Sequence, residues 1–259
     1  MGKGLLVLSL IVLVFIKGHN GCLEEERRAL LELKKAIVES SSDEDDGNQS
    51  NDSLLPSWIY DPRSDCCLWE RVTCNSTTGH VIELALHELV QTSAFTNSTV
   101  KSLSALKSLE SLSLRNNGFV GSLSDQDLKA LGKLGKLGHI DLSQNNFKKD
   151  ILKFVRTLPS LRSVDLSTNN LQGSFIAHDL DPLSNLEVLN LRNNFLNGTL
   201  TLEGSFGKLE ILDLARNRFS GSIPMDIGAL SSLKILSLSE NSFQGLPSVR
   251  GKIMILFFE

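Results

Sequence analysis

Six stretches of the chain repeat one spacing of leucine, asparagine and glycine, and this spacing limits the fold more than any other feature. In "LEILDLARNRFSGSIP", Leu209, Leu212 and Leu214 are followed by Asn217 and Gly221. A unit that recurs at a fixed period stacks on its neighbours, so the pattern predicts a solenoid. The six stretches lie 28, 24, 25, 23 and 24 residues apart and begin at Leu109, Leu137, Leu161, Leu186, Leu209 and Leu233.

Each offset in the repeat has a physical role. In L-x-x-L-x-L the last two leucines alternate with other residues, so a short strand points both toward one shared core. The asparagine carries donors and an acceptor, and we expect it to satisfy backbone groups where the chain leaves the strand. The glycine permits a tight bend, although Lys149 replaces it in the repeat that begins at Leu137. The period is that of a leucine-rich repeat.

The first residues have the layout of a secretory signal peptide, which we assign to residues 1–21. A short basic start precedes the apolar run "LLVLSLIVLVFI" and a stretch of small residues. A retained membrane anchor is the alternative, but the run is shorter than the about 20 residues of a membrane span. We therefore expect the protein to be secreted or to lie at the cell surface.

All four cysteines precede the repeats, at Cys22, Cys66, Cys67 and Cys74. A secretory route favours disulfides over metal ligands. A bond between the adjacent Cys66 and Cys67 would close a strained ring, which leaves two pairings open. The cysteines lack the spacing of zinc ligands, and we expect neither a metal nor a cofactor.

The segment after the first cysteine, "LEEERRALLELKKAIVES", has apolar residues at helical spacing. Leu23, Leu30, Leu33 and Ile37 form a stripe, while three glutamates near the start and two lysines further along suit the helix dipole. We expect this helix to cover the open end of the first repeat, with docking on a membrane or a partner as the alternative. Residues 39–53 carry six acids and no base, which predicts a flexible loop.

Charge and motif content argue against a nucleic-acid partner and against catalysis. Without the six loop acids, 24 acidic residues face 26 basic ones, and the basic residues form no stripe. The five histidines are scattered, and no nucleophile elbow, phosphate loop or metal-ligand spacing is present. His139 lies beside Asp141 on one strand face, but a shallow, solvated surface is a poor setting for acid–base chemistry. We therefore assign no catalytic residue.

Cap and repeats together resemble a known family. The segments "GCLEEERRALLELKKAI", "LPSW" and "DCCLWERVTCNSTTGHVIELAL", followed by repeats containing "FSGSIP", resemble the plant-type leucine-rich-repeat N-terminal cap and the plant extracellular repeat class. Within that class the chain is most similar to receptor-like proteins, which have a repeat ectodomain, one membrane span and no kinase domain. The resemblance implies that Cys22 pairs with Cys66 and Cys67 with Cys74, with Trp58 and Trp69 packing the cap.

The same resemblance implies perception of an extracellular peptide, glycan or protein ligand in defence or development, with a co-receptor kinase as a further partner. The alternative is a secreted inhibitor of a cell-wall-degrading enzyme, similar to the polygalacturonase-inhibitor proteins. Relatives of both kinds carry a C-terminal cysteine cap, and receptor-like proteins also a membrane span, which this sequence does not contain. The ending "GKIMILFFE" looks like the product of a truncated or misjoined reading frame; the alternative is a final strand that covers the last repeat.

The sequence thus predicts an α/β repeat solenoid, a leucine-rich-repeat horseshoe with a helical, disulfide-bonded N-terminal cap. After the signal peptide we place the cap at residues 22–80, about seven repeats at 81–247 and a non-repeat tail at 248–259. The residues beside the strand leucines would form the concave face, which is the binding surface of solenoids. Acids beside arginines favour hydrogen-bonded recognition, although solvated strand positions without a ligand are the alternative. The candidate ligand-binding residues are Ser113, Arg115, His139, Asp141, Asp165, Asn190, Arg192 and Asp213.

Five N-x-S/T motifs predict N-glycosylation if the chain enters the secretory route. They lie at Asn48, Asn51, Asn75, Asn97 and Asn197.

Overall fold

A computed structural model describes residues 21–40, 54–90, 93–175, 180, 182–201, 206–223, 227, 230–245 and 254–256. The predicted signal peptide, except for residue 21, and the sites Asn48 and Asn51 lie outside these residues. So does the predicted acidic loop, except that Glu39 and Ser40 are the last residues of a helix rather than part of a loop.

Two stacks of short strands, one from each side of the repeat, build the solenoid. The main sheet has nine strands in the order β1-β2-β4-β6-β7-β9-β11-β13-β15, and the second sheet has four in the order β14-β12-β10-β8. Strand β1 is antiparallel to β2, whereas the later neighbours in both sheets are parallel. The strands are β1 (Val72–Cys74), β2 (Val81–Ala85), β3 (Ser93–Ala94), β4 (Ser111–Ser113), β5 (Phe119–Val120), β6 (His139–Asp141), β7 (Ser163–Asp165), β8 (Gln172–Ser174), β9 (Val188–Asn190), β10 (Phe195–Thr199), β11 (Ile211–Asp213), β12 (Arg218–Ser222), β13 (Ile235–Ser237), β14 (Ser242–Gln244) and β15 (Met254–Leu256).

The repeat glycines allow the second sheet to form. Gly198 and Gly221 lie in β10 and β12 with φ of 86° and 80°, a region that residues with a Cβ rarely adopt. In the repeat where Lys149 replaces the glycine, the chain forms a short helix at Ile151–Val155 soon afterwards. The repeat that begins at Leu109 has Gly121 and also continues into a helix, so the glycine by itself does not determine whether a repeat adds a strand to the second sheet.

Four α-helices are described, and three of them belong to the early repeats. A capping box begins the third helix, because the Ser124 side chain accepts from the Asp127 N–H while the Asp127 carboxylate accepts from the Ser124 N–H. The leucine and asparagine offsets did not predict these repeat helices. The helices are α1 (Glu24–Ser40), α2 (Asn97–Ala105), α3 (Asp125–Leu131) and α4 (Ile151–Val155).

A ladder of asparagine side chains joins each turn of the solenoid to the one before it. In every rung, Nδ2 donates to the carbonyl of the leucine three residues earlier and to a leucine carbonyl of the preceding turn. Oδ1 accepts a backbone N–H from that preceding turn. The predicted role in satisfying the backbone is therefore present, and it also extends between turns. The rungs are Asn117, Asn145, Asn169, Asn194, Asn217 and Asn241.

The apolar core runs unbroken from the cap through the repeats. Leucines at the repeat offsets are fully buried, as at Leu109 and Leu114. Phenylalanines stack between turns, with the ring centroids of Phe219 and Phe243 6.0 Å apart. Each turn thus completes the core of its neighbour, as expected for a solenoid.

The cap helix α1 covers the start of this core. Leu30, Leu33 and Ile37 are buried, and α1 packs against α2 and β3. The prediction for Leu23 is wrong, because this residue precedes the helix and is 40% exposed. Lys34 does more than complement the helix dipole, since its ammonium group donates to the carbonyls of Leu55 and Trp58 at 3.0 and 3.3 Å.

Two disulfides and one aspartate hold the rest of the cap. Cys22 is bonded to Cys66 and Cys67 to Cys74, the pairs that the family resemblance implies. The Oδ1 atom of Asp65 accepts from the backbone N–H groups of Cys22 and Cys67 at 2.8 and 2.9 Å, so it joins both disulfides. The buried rings of Trp58 and Trp69 stack with centroids 5.6 Å apart.

A buried glutamate ties the cap helix to the first repeat strand. Glu26 is 4% exposed; its Oε2 accepts from the Val81 N–H at 2.9 Å, and its Oε1 lies 3.0 Å from Nδ1 of His80. Hydrogen bonds from Arg27 and Arg28 lower the pKa of the nearby Glu24 to about 2, so this exposed acid remains charged at the helix start. Glu24 and Glu26, which look alike in the sequence, therefore have different roles.

At the other end, β15 adds a strand to the main sheet. It pairs in parallel with β13, so that Ile235 lies opposite Met254 and Ser237 opposite Leu256. Residues 254–256 of the predicted non-repeat tail thus form a strand that continues the main sheet.

Replacing a rung of the ladder is expected to destabilise the whole solenoid. Asn145→Ala removes the acceptor of the Phe119 and Asn117 N–H groups, at 2.9 and 3.2 Å, and one of the two asparagine donors to each of the Leu114 and Leu142 carbonyls. Unpaired buried groups cost about 1–3 kcal/mol each, so we expect a loss of at least ~2 kcal/mol in urea unfolding. The exposed neighbour Asn146 is the matched control, and Asn146→Ala should change the free energy of unfolding by less than about 0.5 kcal/mol. Equal losses for both variants would contradict the role of the ladder.

The link between cap and repeats is tested at Glu26. Glu26→Ala leaves the buried Val81 N–H without its acceptor, and we expect a loss of about 1–3 kcal/mol in unfolding free energy. The exposed Glu25 lies on the same helix, so Glu25→Ala is the control and should have little effect. A Glu26→Ala variant as stable as the Glu25→Ala variant would show that the cap does not depend on this contact.

Candidate functional site

The main sheet displays three columns of side chains on its open face. In β4, β6, β7, β9 and β11 a buried central residue is flanked by two residues that reach this surface, whereas Ser237 of β13 is buried. A third position follows two residues after the strand, and there Ser143, Ala215 and Ser239 are buried. The first column is Ser111, His139, Ser163, Val188, Ile211 and Ile235; the second is Ser113, Asp141, Asp165, Asn190, Asp213 and Ser237; the third is Arg115, Ser143, Ser167, Arg192, Ala215 and Ser239.

Strand register keeps members of a column side by side. His139 lies opposite Ser111 and Ser163, and Ile211 lies opposite Val188 and Ile235. The sequence-predicted residues Ser113, Asp141, Asp165, Asn190 and Asp213 therefore form one continuous row.

One oxygen of each acidic or amide side chain in the second column is used within the protein. Oδ1 of Asp141 accepts from the Ser143 N–H at 3.0 Å and from its hydroxyl at 2.6 Å. Oδ1 of Asp213 accepts from the Ala215 N–H at 2.9 Å. Oδ1 of Asp165 and Oδ1 of Asn190 likewise each accept from the backbone N–H two residues further along the chain. These side chains therefore stabilise the turn that follows each strand, a role that their spacing alone did not reveal.

The second polar atom of each of these side chains, Oδ2 in aspartate and Nδ2 in asparagine, is available to a ligand only where the protein does not already bond it. Nδ2 of Asn190 donates to Oδ2 of Asp165 at 2.8 Å, so these two residues satisfy each other. Among the described residues, none donates to Oδ2 of Asp141 or of Asp213. These two carboxylate oxygens are acceptors available to an incoming donor group.

Arginines and a glutamate supply the remaining charge of the face. Arg115 is exposed and Arg192 is half-buried, both in the third column. The exposed Glu83 in β2 lies opposite Ser111 and extends the first column by one strand. Glu83 was absent from the predicted set because its repeat lacks the asparagine that sets the register elsewhere.

The first column changes from polar to apolar along the solenoid. Ser111, His139 and Ser163 come first, and the half-buried Val188, Ile211 and Ile235 follow on consecutive strands. An apolar strip beside the polar second column can take apolar side chains of a ligand whose polar groups meet that column.

In the part of the chain that the structure describes, no group of side chains is arranged for metal binding or for acid–base catalysis. No group of three or more histidine, cysteine, aspartate or glutamate side chains there could hold a metal ion. His139 and Asp141 point to the same face of β6, but the Asp141 carboxylate bonds Ser143 instead. The helices described also include none that is long and apolar enough to cross a membrane.

Of the three described glycosylation motifs, each has a different setting. Oδ1 of Asn75 accepts from the N–H groups of Thr77 and Thr78, both at 3.0 Å, in a turn after β1. Asn97 is the first residue of α2, and Asn197 is exposed in the middle of β10.

Family models match both parts of the chain. Residues 23–75 match the leucine rich repeat N-terminal domain, and residues 185–207 and 208–230 match the Leucine Rich Repeat. The first match includes α1, Trp58, Trp69 and three of the four cysteines. The match to the repeat covers the segments that form β9 to β12.

Curated relatives are receptor-like proteins of Arabidopsis thaliana. The chain is 36% identical to Receptor like protein 21 over 227 residues, which is 85% of this chain and 22% of that protein. It is 38% identical to Receptor-like protein 1 over 198 residues, which is 73% of this chain and 18% of that protein. The chain thus spans about a fifth of the length of these relatives.

Solved structures share the fold. The ectodomain of the Arabidopsis thaliana membrane receptor kinase GASSHO1/SCHENGEN3, in complex with CASPARIAN STRIP INTEGRITY FACTOR 2, is 28% identical with a TM-score of 0.65; the match covers 89% of this chain and 29% of that one. Pollen Receptor Kinase 3 is 23% identical with a TM-score of 0.55, over 88% of this chain and 91% of that one, and supports the fold alone. The chain is therefore a leucine-rich-repeat protein with a disulfide-bonded N-terminal cap, and it is similar to plant receptor-like proteins.

Proposed function

We propose that the chain recognises an extracellular ligand along the open face of its main sheet, as part of a receptor-like protein. The observation that carries this proposal is the row of surface positions that runs without a break across the seven strands β2, β4, β6, β7, β9, β11 and β13. Neighbouring strands lie about 4.8 Å apart, so the row is roughly 29 Å long. A surface of this length suits an extended ligand rather than a compact small molecule.

The chemistry of the face favours a peptide. An extended peptide advances about 3.3 Å per residue, so about nine residues would lie along the row. Its N–H groups would donate to the second carboxylate oxygens of Asp141 and Asp213, and its carboxylate would bind Arg115 or Arg192. Its apolar side chains would lie on the strip formed by Val188, Ile211 and Ile235.

The comparisons support a receptor role in outline. The relatives are named as receptor-like proteins, and the GASSHO1/SCHENGEN3 ectodomain is a receptor solved with a bound factor. From these similarities we further propose a place in defence or development signalling, with a co-receptor kinase as partner. The disulfide-bonded cap and the exposed asparagines of the motifs at Asn97 and Asn197 support a secreted or cell-surface location.

Selection of peptides against the secreted chain tests the proposal. A displayed library of random nine-residue peptides should yield binders, which are then synthesised and titrated by calorimetry. Ile211→Ser removes the centre of the apolar strip, and Arg192→Gln removes a charged anchor. Because such central contacts are worth more than about 1 kcal/mol, each variant should weaken binding by at least about fivefold.

Matched controls lie away from this face. Val120→Ser alters an exposed apolar residue of β5, and Arg156→Gln alters an exposed arginine at the end of α4. Both should leave the affinity unchanged. A library without binders, or binders that lose affinity equally in the control variants, would contradict a peptide site here.

An enzyme assay separates the alternative function. If the chain is an inhibitor similar to the polygalacturonase-inhibitor proteins, it should slow fungal polygalacturonases acting on polygalacturonate. The receptor proposal predicts no inhibition when the chain is in large excess over the enzyme.

A further inference from the structure

One strand of the second sheet places an aromatic ring, an asparagine and a threonine on the same exposed face. In β10, Phe195, Asn197 and Thr199 are exposed, whereas Leu196 between them is buried. Residues two apart on a strand lie about 6.6–6.8 Å from each other on one side of the sheet. Asn197, Gly198 and Thr199 form an N-glycosylation motif, and Phe195 precedes it by two residues.

The position of this strand is fixed from both sides. The Phe195 N–H donates to the Leu171 carbonyl at 2.9 Å, and the Leu196 N–H donates to Oδ1 of the ladder residue Asn217 at 3.1 Å. Phe195 is 38% exposed, which is unusual for a large apolar side chain in this protein. Its ring is therefore held at the surface beside the motif with apolar area left uncovered.

We infer that the first N-acetylglucosamine of a glycan on Asn197 packs against the Phe195 ring and stabilises the folded chain. This inference rests on the proposed extracellular function, because the glycan is added on the secretory route. A sugar ring presents C–H groups on its faces, and covering an exposed aromatic ring with them removes apolar surface from water. The glycan thereby becomes part of the second sheet's packing.

Attachment follows the ordinary chemistry of N-glycosylation. Nδ2 of Asn197 forms a bond to C1 of the sugar while the bond from C1 to the pyrophosphate of a lipid-linked oligosaccharide breaks. The amide loses one proton, and the lipid pyrophosphate is the leaving group. The exposed side chain on β10 leaves room for the sugar.

Arg218 already contacts the same ring. Its guanidinium carbon lies 4.6 Å from the Phe195 centroid, and Arg218 lies opposite Asn197 in the sheet. Phe195 is 38% exposed even with the Arg218 side chain lying over its ring. The sugar therefore covers ring surface that Arg218 leaves open.

A second motif in the chain has the same spacing but the wrong geometry. Phe95 precedes Asn97 by two residues, and Thr99 follows it by two. However, Phe95 is buried, with its ring centroid 5.6 Å from that of Phe119. Asn97 is the first residue of α2. With its amide oriented so that the nitrogen faces Asp127, it donates to the Asp127 carboxylate. A glycan on Asn97 cannot reach the Phe95 ring, so this motif is an internal control.

Thermal unfolding of the secreted, glycosylated chain tests the inference. Asn197→Gln and Thr199→Ala both prevent glycosylation at this position, and each should lower the Tm by about 2–4 °C. Trimming with an endoglycosidase that leaves one N-acetylglucosamine should preserve the Tm, because only the first sugar contacts the ring. The first sugar on Asn97 is the control and should show no ring-current shift, because the Phe95 ring is buried.

Combining variants isolates the sugar–ring contact. In the presence of Phe195→Ala, adding Asn197→Gln should cause no further fall in Tm, whereas Phe195→Trp should keep the full effect of the glycan. Ring-current shifts of the first sugar's proton resonances should disappear with Phe195→Ala. Additive effects of Phe195→Ala and Asn197→Gln would overturn the inference.

Glycan mapping by mass spectrometry separates this inference from the function on which it rests. An unmodified Asn197 in a chain glycosylated elsewhere would overturn the inference alone. A secreted chain with no glycan at any motif would contradict both the inference and the proposed passage through the secretory route.

Discussion

The buried asparagine ladder is the interaction on which the rest of the structure depends. Short strands of three residues leave many carbonyl and N–H groups at their ends, and unpaired buried groups would cost more than the strands gain. Each asparagine satisfies such groups in its own turn and in the preceding one, as Asn194 does for the carbonyls of Leu191 and Leu166. The ladder therefore sets the distance and register between turns. That register aligns the columns on the open face of the main sheet and fixes β10 in the second sheet.

The repeat offsets predicted the part of the fold that depends on this regularity. Leucines facing one core, the asparagine in the turn and the glycine at the bend follow from strand geometry and backbone hydrogen bonding. The repeat offsets did not predict the helices α2 to α4. The segments that form these helices share no sequence pattern, and local capping stabilises them, as at Ser124. The exposure of Leu23 was also missed, since helical spacing does not reveal where the helix begins.

The candidate face was predicted in position but not in detail. Alternation along the strand places Asp141 and Asp213 on the surface, yet it cannot tell that one oxygen of each is used by the following turn. The pairing of Asn190 with Asp165 depends on register between turns, which no single repeat encodes. The two motifs at Asn97 and Asn197 show the same limit. They are alike in spacing, and only the fold separates a buried Phe95 from an exposed Phe195.

The open face of the main sheet, as we propose, holds an extended ligand. Hydroxyl-radical footprinting with a selected nine-residue peptide tests this proposal most directly, because oxidation reports the solvent exposure of individual side chains. We expect binding to protect Val188, Ile211 and Ile235 on consecutive strands, while Phe195 on the second sheet stays equally reactive. Protection of Phe195 with unchanged oxidation of the three aliphatic residues would contradict the proposal.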